Sequence, residues 1–484
     1  MSLYSTQLLR THATHPWSPS QVIDAVWARF SESLSSFAWG PLTTAVRDQI
    51  FASLSRITEG ELVVVTGTET VRFGHPSTKF ANLKATLRVK EESFWLRVAL
   101  FTDLGLAEGF MYGEADVECD DISALIKVMI ANRNQINGVY VGGIATRILA
   151  AGRSLTLSKF MGNLTNSKAN ISAHYDLGNT MFSAFLSEDM NYSSAFFKDF
   201  NEDITPGAVE IETLESAQQR KMRHLLKKLR IQPGDRVLEI GTGWGSLSIL
   251  AAQTVPDCTI DTITLSAQQA ALARERIATA GLDDRITVHY MDFREALNKP
   301  EWQGAFDRFV SIEMIENVGR HFIEEYWRVV NWTMKPANSV GVVQVITMPE
   351  ERIPRYDQSG ADFIQKWIFP GCYIPSLTFL LTTMEAGSHG RLTVDSVANI
   401  GPHYARTLRE WKRKFLSNWE PVVKKALVED YSLGEEDLEI FRRKWIYYFD
   451  YCEAGFAMRA LGDHIITFTR PNHQAFGCDF SCLG

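Results

Sequence analysis

The chain has 484 residues, 45% of them hydrophobic and 22% charged, with a formal net charge of −8. That length exceeds the usual single-domain range and predicts two domains of unequal size with a sizeable core. The acidic balance argues against a general nucleic-acid binder, which needs a net basic face, and no apolar run reaches the roughly eighteen residues of a membrane span, because Arg133, Arg147 and Arg153 interrupt the longest candidate.

In chain order, residues 1–19 read as a disordered tail: the first 23 residues hold no acid and only Arg10, yet lack the apolar centre of a signal peptide. Residues 20–150 read as a small α+β domain. Its helical runs are Gln21 to Phe37 and Asp121 to Ile130, and its β-rich stretches are Leu62 to Val65 and Ala85 to Val89. Residues 151–168, with Gly152, Ser154, Ser158, Gly162 and Ser167, read as a linker. Residues 169–484 form the larger domain, in which strand and helix alternate in the doubly wound manner. Strands are predicted at Arg236 to Ile240, Thr259 to Thr264, Ile286 to Tyr290, Arg308 to Ile312 and Gly341 to Ile346, and helices at Leu214 to Arg230, Ser246 to Ala252, Ser266 to Ala280 and His321 to Met334.

In such sheets a ligand lies beyond the carboxyl ends of the strands. After the first strand comes Glu239-Ile240-Gly241-Thr242-Gly243-Trp244-Gly245, whose glycines let backbone groups approach a ligand closely. The G-x-G-x-G spacing differs from the dinucleotide fingerprint and carries no phosphate-loop lysine. It favours a cofactor without a pyrophosphate, and S-adenosylmethionine fits. Thr264 and Gln269 follow the second strand, where Gln269 is placed to meet ribose hydroxyls. Asp292 and Phe293 follow the third, a carboxylate and a ring suited to adenine. Glu313 and Glu316 follow the fourth, three residues apart. Six scattered cysteines suit reduced thiols in a cytosolic setting, and Cys478 and Cys482 lack histidine partners, so no metal site is expected.

Further motifs stand outside this frame: His174-Tyr175-Asp176-Leu177-Gly178-Asn179, Tyr192-Ser193-Ser194-Ala195-Phe196, Ile368-Phe369-Pro370-Gly371-Cys372-Tyr373, His403-Tyr404 with Trp411, and Tyr451-Cys452-Glu453-Ala454-Gly455-Phe456. Together with the glycine motif and Glu316 before Val318-Gly319, they resemble the cyclopropane fatty acid synthase family of S-adenosylmethionine-dependent methyltransferases, which includes the mycolic acid cyclopropane synthases. The resemblance runs from about residue 160 to the C-terminus, and Asp103 to Gly113 looks like the end of the N-terminal domain of phospholipid-acting members. It implies an α/β fold, a class I methyltransferase with a Rossmann-like doubly wound sheet, preceded by a smaller α+β domain. The implied reaction is methylene transfer from S-adenosylmethionine to the cis double bond of an unsaturated phospholipid acyl chain, through a carbocation that a bound bicarbonate deprotonates.

By the same resemblance Tyr192, Ser193, Gly241, Gly243, Thr264 and Gln269 contact the cofactor, while Glu316, Tyr404 and the backbone at Ser194 hold the bicarbonate. Ser194 stands where many members have cysteine, and Gln344 and Asn317 where they have histidine. Glutamine still donates a hydrogen bond but does not titrate. The product is left open between a cyclopropane and a methyl or methylene branch. Small-molecule N-methyltransferases share the Glu313 and Glu316 spacing, but residues 60–130 argue against that reading. Peripheral attachment to a phospholipid surface is expected, with the cluster Arg406, Arg409, Lys412, Arg413 and Lys414 as a membrane-facing candidate. Dimerisation through the N-terminal domain would strengthen so weak a contact.

Overall fold

The computed structural model describes residues 40–77, 79, 83–136, 178–208, 211–359 and 362–477. The expected tail, the helix Gln21 to Phe37, the linker 151–168, the His174 motif before Gly178, and Cys478 and Cys482 lie outside the described residues. The chain forms two compact units, and the first draws segments from 357–370 and 415–460 to the residues before 137.

The first unit holds a four-stranded sheet of order β2-β1-β3-β4, made of β1 (Gly60–Val65), β2 (Thr70–His75), β3 (Lys84–Val89) and β4 (Ala115–Val117). β1 pairs antiparallel with β2 and parallel with β3. The helix Ile122–Ala131 starts where Asp121 accepts the Ala124 N–H at 2.9 Å, a side-chain N-cap. Buried charges hold this unit together, and two of them tie in the distant segments. Arg97 grips Glu114 through Nε and Nη2 at 2.9 and 2.6 Å, Lys366 reaches Glu108 at 2.7 Å, and Arg443 donates to the Ala115 carbonyl and to Asp116 at 2.7 and 2.9 Å. Charges taken out of water in this way persist only when paired and hydrogen-bonded.

The second unit is built on a seven-stranded sheet of order β10-β11-β9-β8-β5-β6-β7. Its members are β5 (Arg236–Ile240), β6 (Thr259–Thr264), β7 (Ile286–Tyr290), β8 (Arg308–Ile312), β9 (Val340–Thr347), β10 (Thr393–Asn399) and β11 (Gly462–Thr469). β5 to β9 run parallel, and β11 is inserted antiparallel between β9 and β10. One face buries the apolar stripes of helices Leu214–Leu229, Ser246–Thr254 and Ala267–Thr279. The other packs on Ile323–Thr333 and Leu377–Ser388. With both faces covered, the central strands read as continuous apolar runs, as in Val340 to Val343. Among the described residues no helix is long and apolar enough to cross a membrane.

Candidate active site

The strand order reverses beside β5, and the carboxyl ends of β5, β6 and β8 open onto one cavity. It is lined by Tyr192, Ser193, Lys221, Glu239, Gly241, Gly243, Thr264, Gln269, Met291, Phe293, Glu313 and Asn317, among others. Its floor is the glycine turn. Gly241, Gly243 and Gly245 have φ of +107°, +51° and +86°, a region that side-chain-bearing residues adopt only under strain. A Cβ at Gly241 would sit 3.3 Å from Met314 Cβ, whereas one at Gly243 would meet no protein atom within 4 Å. The N-terminus of helix Ser246–Thr254 follows directly.

Behind the turn, Glu239 Oε2 accepts from Ser248 Oγ and Thr262 Oγ1, both at 2.6 Å. Burial pushes its carboxyl up to about 7, against the pull of these two hydroxyls. Thr264 Oγ1 donates to Gln269 Oε1 at 2.9 Å, and Ser266 caps the helix that carries Gln269. The glycine floor and this set fit an adenosyl cofactor: close backbone approach, polar groups for a ribose, and Phe293 for a base. Asp292 is placed differently. It is fully buried, its carboxylate accepts from Arg294 Nε and Nη2 at 2.8 Å each, and it does not line the cavity.

Of the two carboxylates after β8, Glu313 lines the cavity and Glu316 does not. Glu313 Oε1 accepts from the Ser194 N–H at 2.8 Å and from Gln344 Nε2 at 2.7 Å, and Oε2 accepts from the Tyr404 hydroxyl at 2.6 Å. Gln344 Nε2 also donates to Asp463 Oδ2 at 2.8 Å. Glu316 Oε1 accepts instead from the Ile346 N–H at 2.5 Å. The expected grouping of Glu316 with Ser194 and Tyr404 is therefore made by its neighbour Glu313, three residues earlier in the chain. The Ser194, Gln344 and Tyr404 donors expected to hold bicarbonate already end on the Glu313 carboxylate, so they do not fit a further anion, and Glu316 Oε2 is left buried without a partner among the described residues.

Glu313 itself has φ +48°, a left-handed conformation that costs an ordinary residue roughly 1–2 kcal/mol. Burial raises its pKa, opposed by Tyr404, Ser194 and the nearby Lys221 charge. Burial, then the neighbouring Glu313, pushes Glu316 up to about 8. Asp463 is raised well above its ordinary value by burial and by the charges of Glu313 and Glu316.

Two contributors escape a reading of motifs. Lys221 is buried and donates to Ser193 Oγ at 2.6 Å, with its pKa lowered by burial. In the sequence it sits in a basic run, but its spacing from Leu214, Ala217, Met222 and Leu225 places it on the buried stripe of the helix. Asp463, on β11, carries no sequence signal. Beside these groups stands an aromatic wall: Tyr192 to Trp411 at 5.1 Å between ring centroids, Phe182 to Tyr192 at 5.4 Å and Tyr404 to Trp411 at 5.9 Å.

The basic cluster on helix Gly401–Ser417 meets local acceptors. Arg406 is wholly buried against Asp199 and Glu202, Arg409 grips Asp203, Arg413 pairs with Glu410, and Lys414 reaches Glu215 at 2.8 Å.

A seven-stranded sheet with one antiparallel strand beside the last parallel one, and a glycine turn flooring a cavity at the carboxyl ends of the strands, define a class I S-adenosylmethionine-dependent methyltransferase. Residues 163–464 match the mycolic acid cyclopropane synthetase family, and the chain belongs to that family, as its motifs led us to expect.

Among its relatives, a tuberculostearic acid methyltransferase of Mycobacterium tuberculosis is 39% identical over 291 residues, 60% of this chain. That match spans 62% of the relative, less than two thirds of its length. The cyclopropane-fatty-acyl-phospholipid synthase of Escherichia coli is 32% identical over 389 residues, 80% of this chain and 88% of that protein. The solved structure of mycolic acid cyclopropane synthase CmaA1, complexed with SAH and CTAB, is 26% identical with a TM-score of 0.51, covering 63% of this chain and 98% of that one. A coclaurine N-methyltransferase shares the fold at 20% identity and TM-score 0.57, covering 75% of this chain and 99% of that one.

Proposed function

We propose that this methyltransferase transfers a one-carbon unit from S-adenosylmethionine to a cis double bond of a phospholipid acyl chain, giving a cyclopropane. The observation that carries the reading is a cavity bounded by the glycine turn on one side and by the Glu313 carboxylate on the other. An alkene is a weak nucleophile, so its attack on a sulfonium methyl needs close alignment in a dry site. The resulting cation needs stabilisation by ring faces and a carboxylate. Tyr192 supplies a ring at the cavity wall, backed by Trp411, and Glu313 the charge.

The lipid substrate is supported by the relative named cyclopropane-fatty-acyl-phospholipid synthase, whose match extends over 80% of the chain. A substrate held in a bilayer, together with the lack of a crossing helix among the described residues, supports action from the membrane surface. A branched product is a second reading, favoured by the 39% identity to a tuberculostearic acid methyltransferase. The same cation gives a branch when its proton leaves from a chain carbon.

The test is mass spectrometry and NMR of lipids after incubation of the protein with labelled S-adenosylmethionine and liposomes of monounsaturated phospholipid. The expected product gains one carbon and two hydrogens and shows no olefinic protons. The same gain with an olefinic signal selects the branched product, and absence of labelled lipid refutes both readings.

A further inference from the structure

The donors that the resemblance assigns to bicarbonate are already engaged, while Glu316, assigned with them, keeps one buried carboxyl oxygen without a partner among the described residues. The Ser194 N–H, the Gln344 amide and the Tyr404 hydroxyl converge on the two oxygens of Glu313 at 2.8, 2.7 and 2.6 Å. A further anion would lie against Glu313 with these donors already engaged. Among the described residues that line the cavity Lys221 is the only cation, and it donates to Ser193. The backbone adds a second, independent observation. Glu313 is held at φ +48°, where glycine sits freely and a side chain is strained. Strain of that kind persists where the surroundings over-determine it, and it clusters at working sites.

We propose that the Glu313 carboxylate is this enzyme's own base, built into the place of the family's bicarbonate, so that turnover needs no bicarbonate. The inference rests on the lipid reading above and deepens it. In the step, the π pair of the alkene forms a C–C bond to the sulfonium methyl. The S–CH3 bond breaks with its electron pair on sulfur, and the positive charge passes to the acyl chain. One C–H bond of the new methyl then breaks: the proton goes to a Glu313 oxygen, and the electron pair closes the third side of the ring. Glu313 leaves the step as a neutral acid and returns its proton to water once the product has gone. Tyr404 and Gln344 act as positioning residues that fix the carboxylate.

The experiment measures lipid labelling by wild-type protein in buffer stripped of carbon dioxide, with and without added sodium bicarbonate. The expected rates agree within about twofold. A rate that collapses on stripping and returns with bicarbonate overturns the proposal and leaves the lipid reading standing, whereas no labelled lipid in either buffer removes both. Two variants extend the test, each first shown by calorimetry to bind S-adenosylmethionine. E313Q keeps the site filled but not basic and should lose turnover by roughly 10²- to 10⁴-fold, with no recovery on adding bicarbonate. E313G takes φ +48° without strain and vacates the anion site, so bicarbonate or formate should restore part of its lost turnover saturably. Wild-type turnover by E313Q in stripped buffer would overturn the assignment.

Discussion

The Tyr404 hydroxyl donates to Glu313 Oε2 at 2.6 Å, joining residues 91 apart in the chain. It aims a buried carboxylate from helix Gly401–Ser417, while the Ser194 N–H and Gln344 approach the other oxygen. A hydrogen bond to a charged group contributes about 1.5–3 kcal/mol. Tyr404→Phe should therefore lower kcat/KM by roughly 10- to 100-fold while leaving S-adenosylmethionine affinity near wild type, since Tyr404 does not line the cavity. Kinetics and calorimetry on the same preparation separate the two effects. Equal loss of both would place Tyr404 in the cofactor site instead.

The pH profile should carry the mark of Lys221. The base must be ionised, and burial holds Glu313 above the ordinary carboxylate value, so activity falls as pH drops through that raised pKa. Lys221 opposes the rise, and Tyr404, Asp463 and Glu316 share the same surroundings. Lys221→Met removes the opposing positive charge, raises the Glu313 pKa further and moves the acid limb to higher pH. A limb that stays in place or moves down would exclude this coupling.

Glu316 makes stability depend on pH. Its folded pKa of about 8 lies above the ordinary value of 4.5, so between these values the folded state holds a proton that the unfolded chain has released. The slope of stability is negative there: the contribution is complete below pH 4.5 and is lost as pH rises through 8. Glu316→Gln mimics the neutral acid at every pH. Thermal melts should show the variant gaining on wild type by several degrees between pH 5 and pH 8, and parallel Tm curves would refute the assignment.

Gly243→Val tests the cofactor floor. The new side chain points into open space rather than into protein, so the fold survives at a cost of about 1–2 kcal/mol for the left-handed backbone. The occupied cavity should lose S-adenosylmethionine affinity by about 100-fold or more, a loss of at least ~2.7 kcal/mol. Calorimetry showing wild-type affinity would mean that the glycine turn does not carry the cofactor.

The parallel strands β5 to β9 were legible in the sequence because each is a short apolar run followed by a turn or helix signal, and all five appear where their patterns place them. β10 was not, since Thr393 to Asn399 is polar and partly exposed at the sheet edge. The joining of 357–370 and 415–460 to the first unit is also invisible along the chain. It depends on buried pairs such as Lys366 with Glu108, and charge spacing in a sequence does not reveal its partners.

At the site, the glycine turn, Thr264 and Gln269 could be read from their positions after strands. The division of labour between Glu313 and Glu316 could not. It is decided by the positive φ at Glu313 and the 3-10 turn Ile315–Asn317, which send two carboxylates three residues apart to different donors.

One measurement bears most directly on one-carbon transfer through an acyl cation: the protein is given S-adenosylmethionine with a trideuterated methyl group, cis-monounsaturated phospholipid vesicles and a soluble secondary amine together. Ring closure removes one deuteron from the transferred methyl, so the account predicts lipid carrying two of the three deuteriums and an unlabelled amine. Label confined to the amine, with all three deuteriums retained, would contradict it.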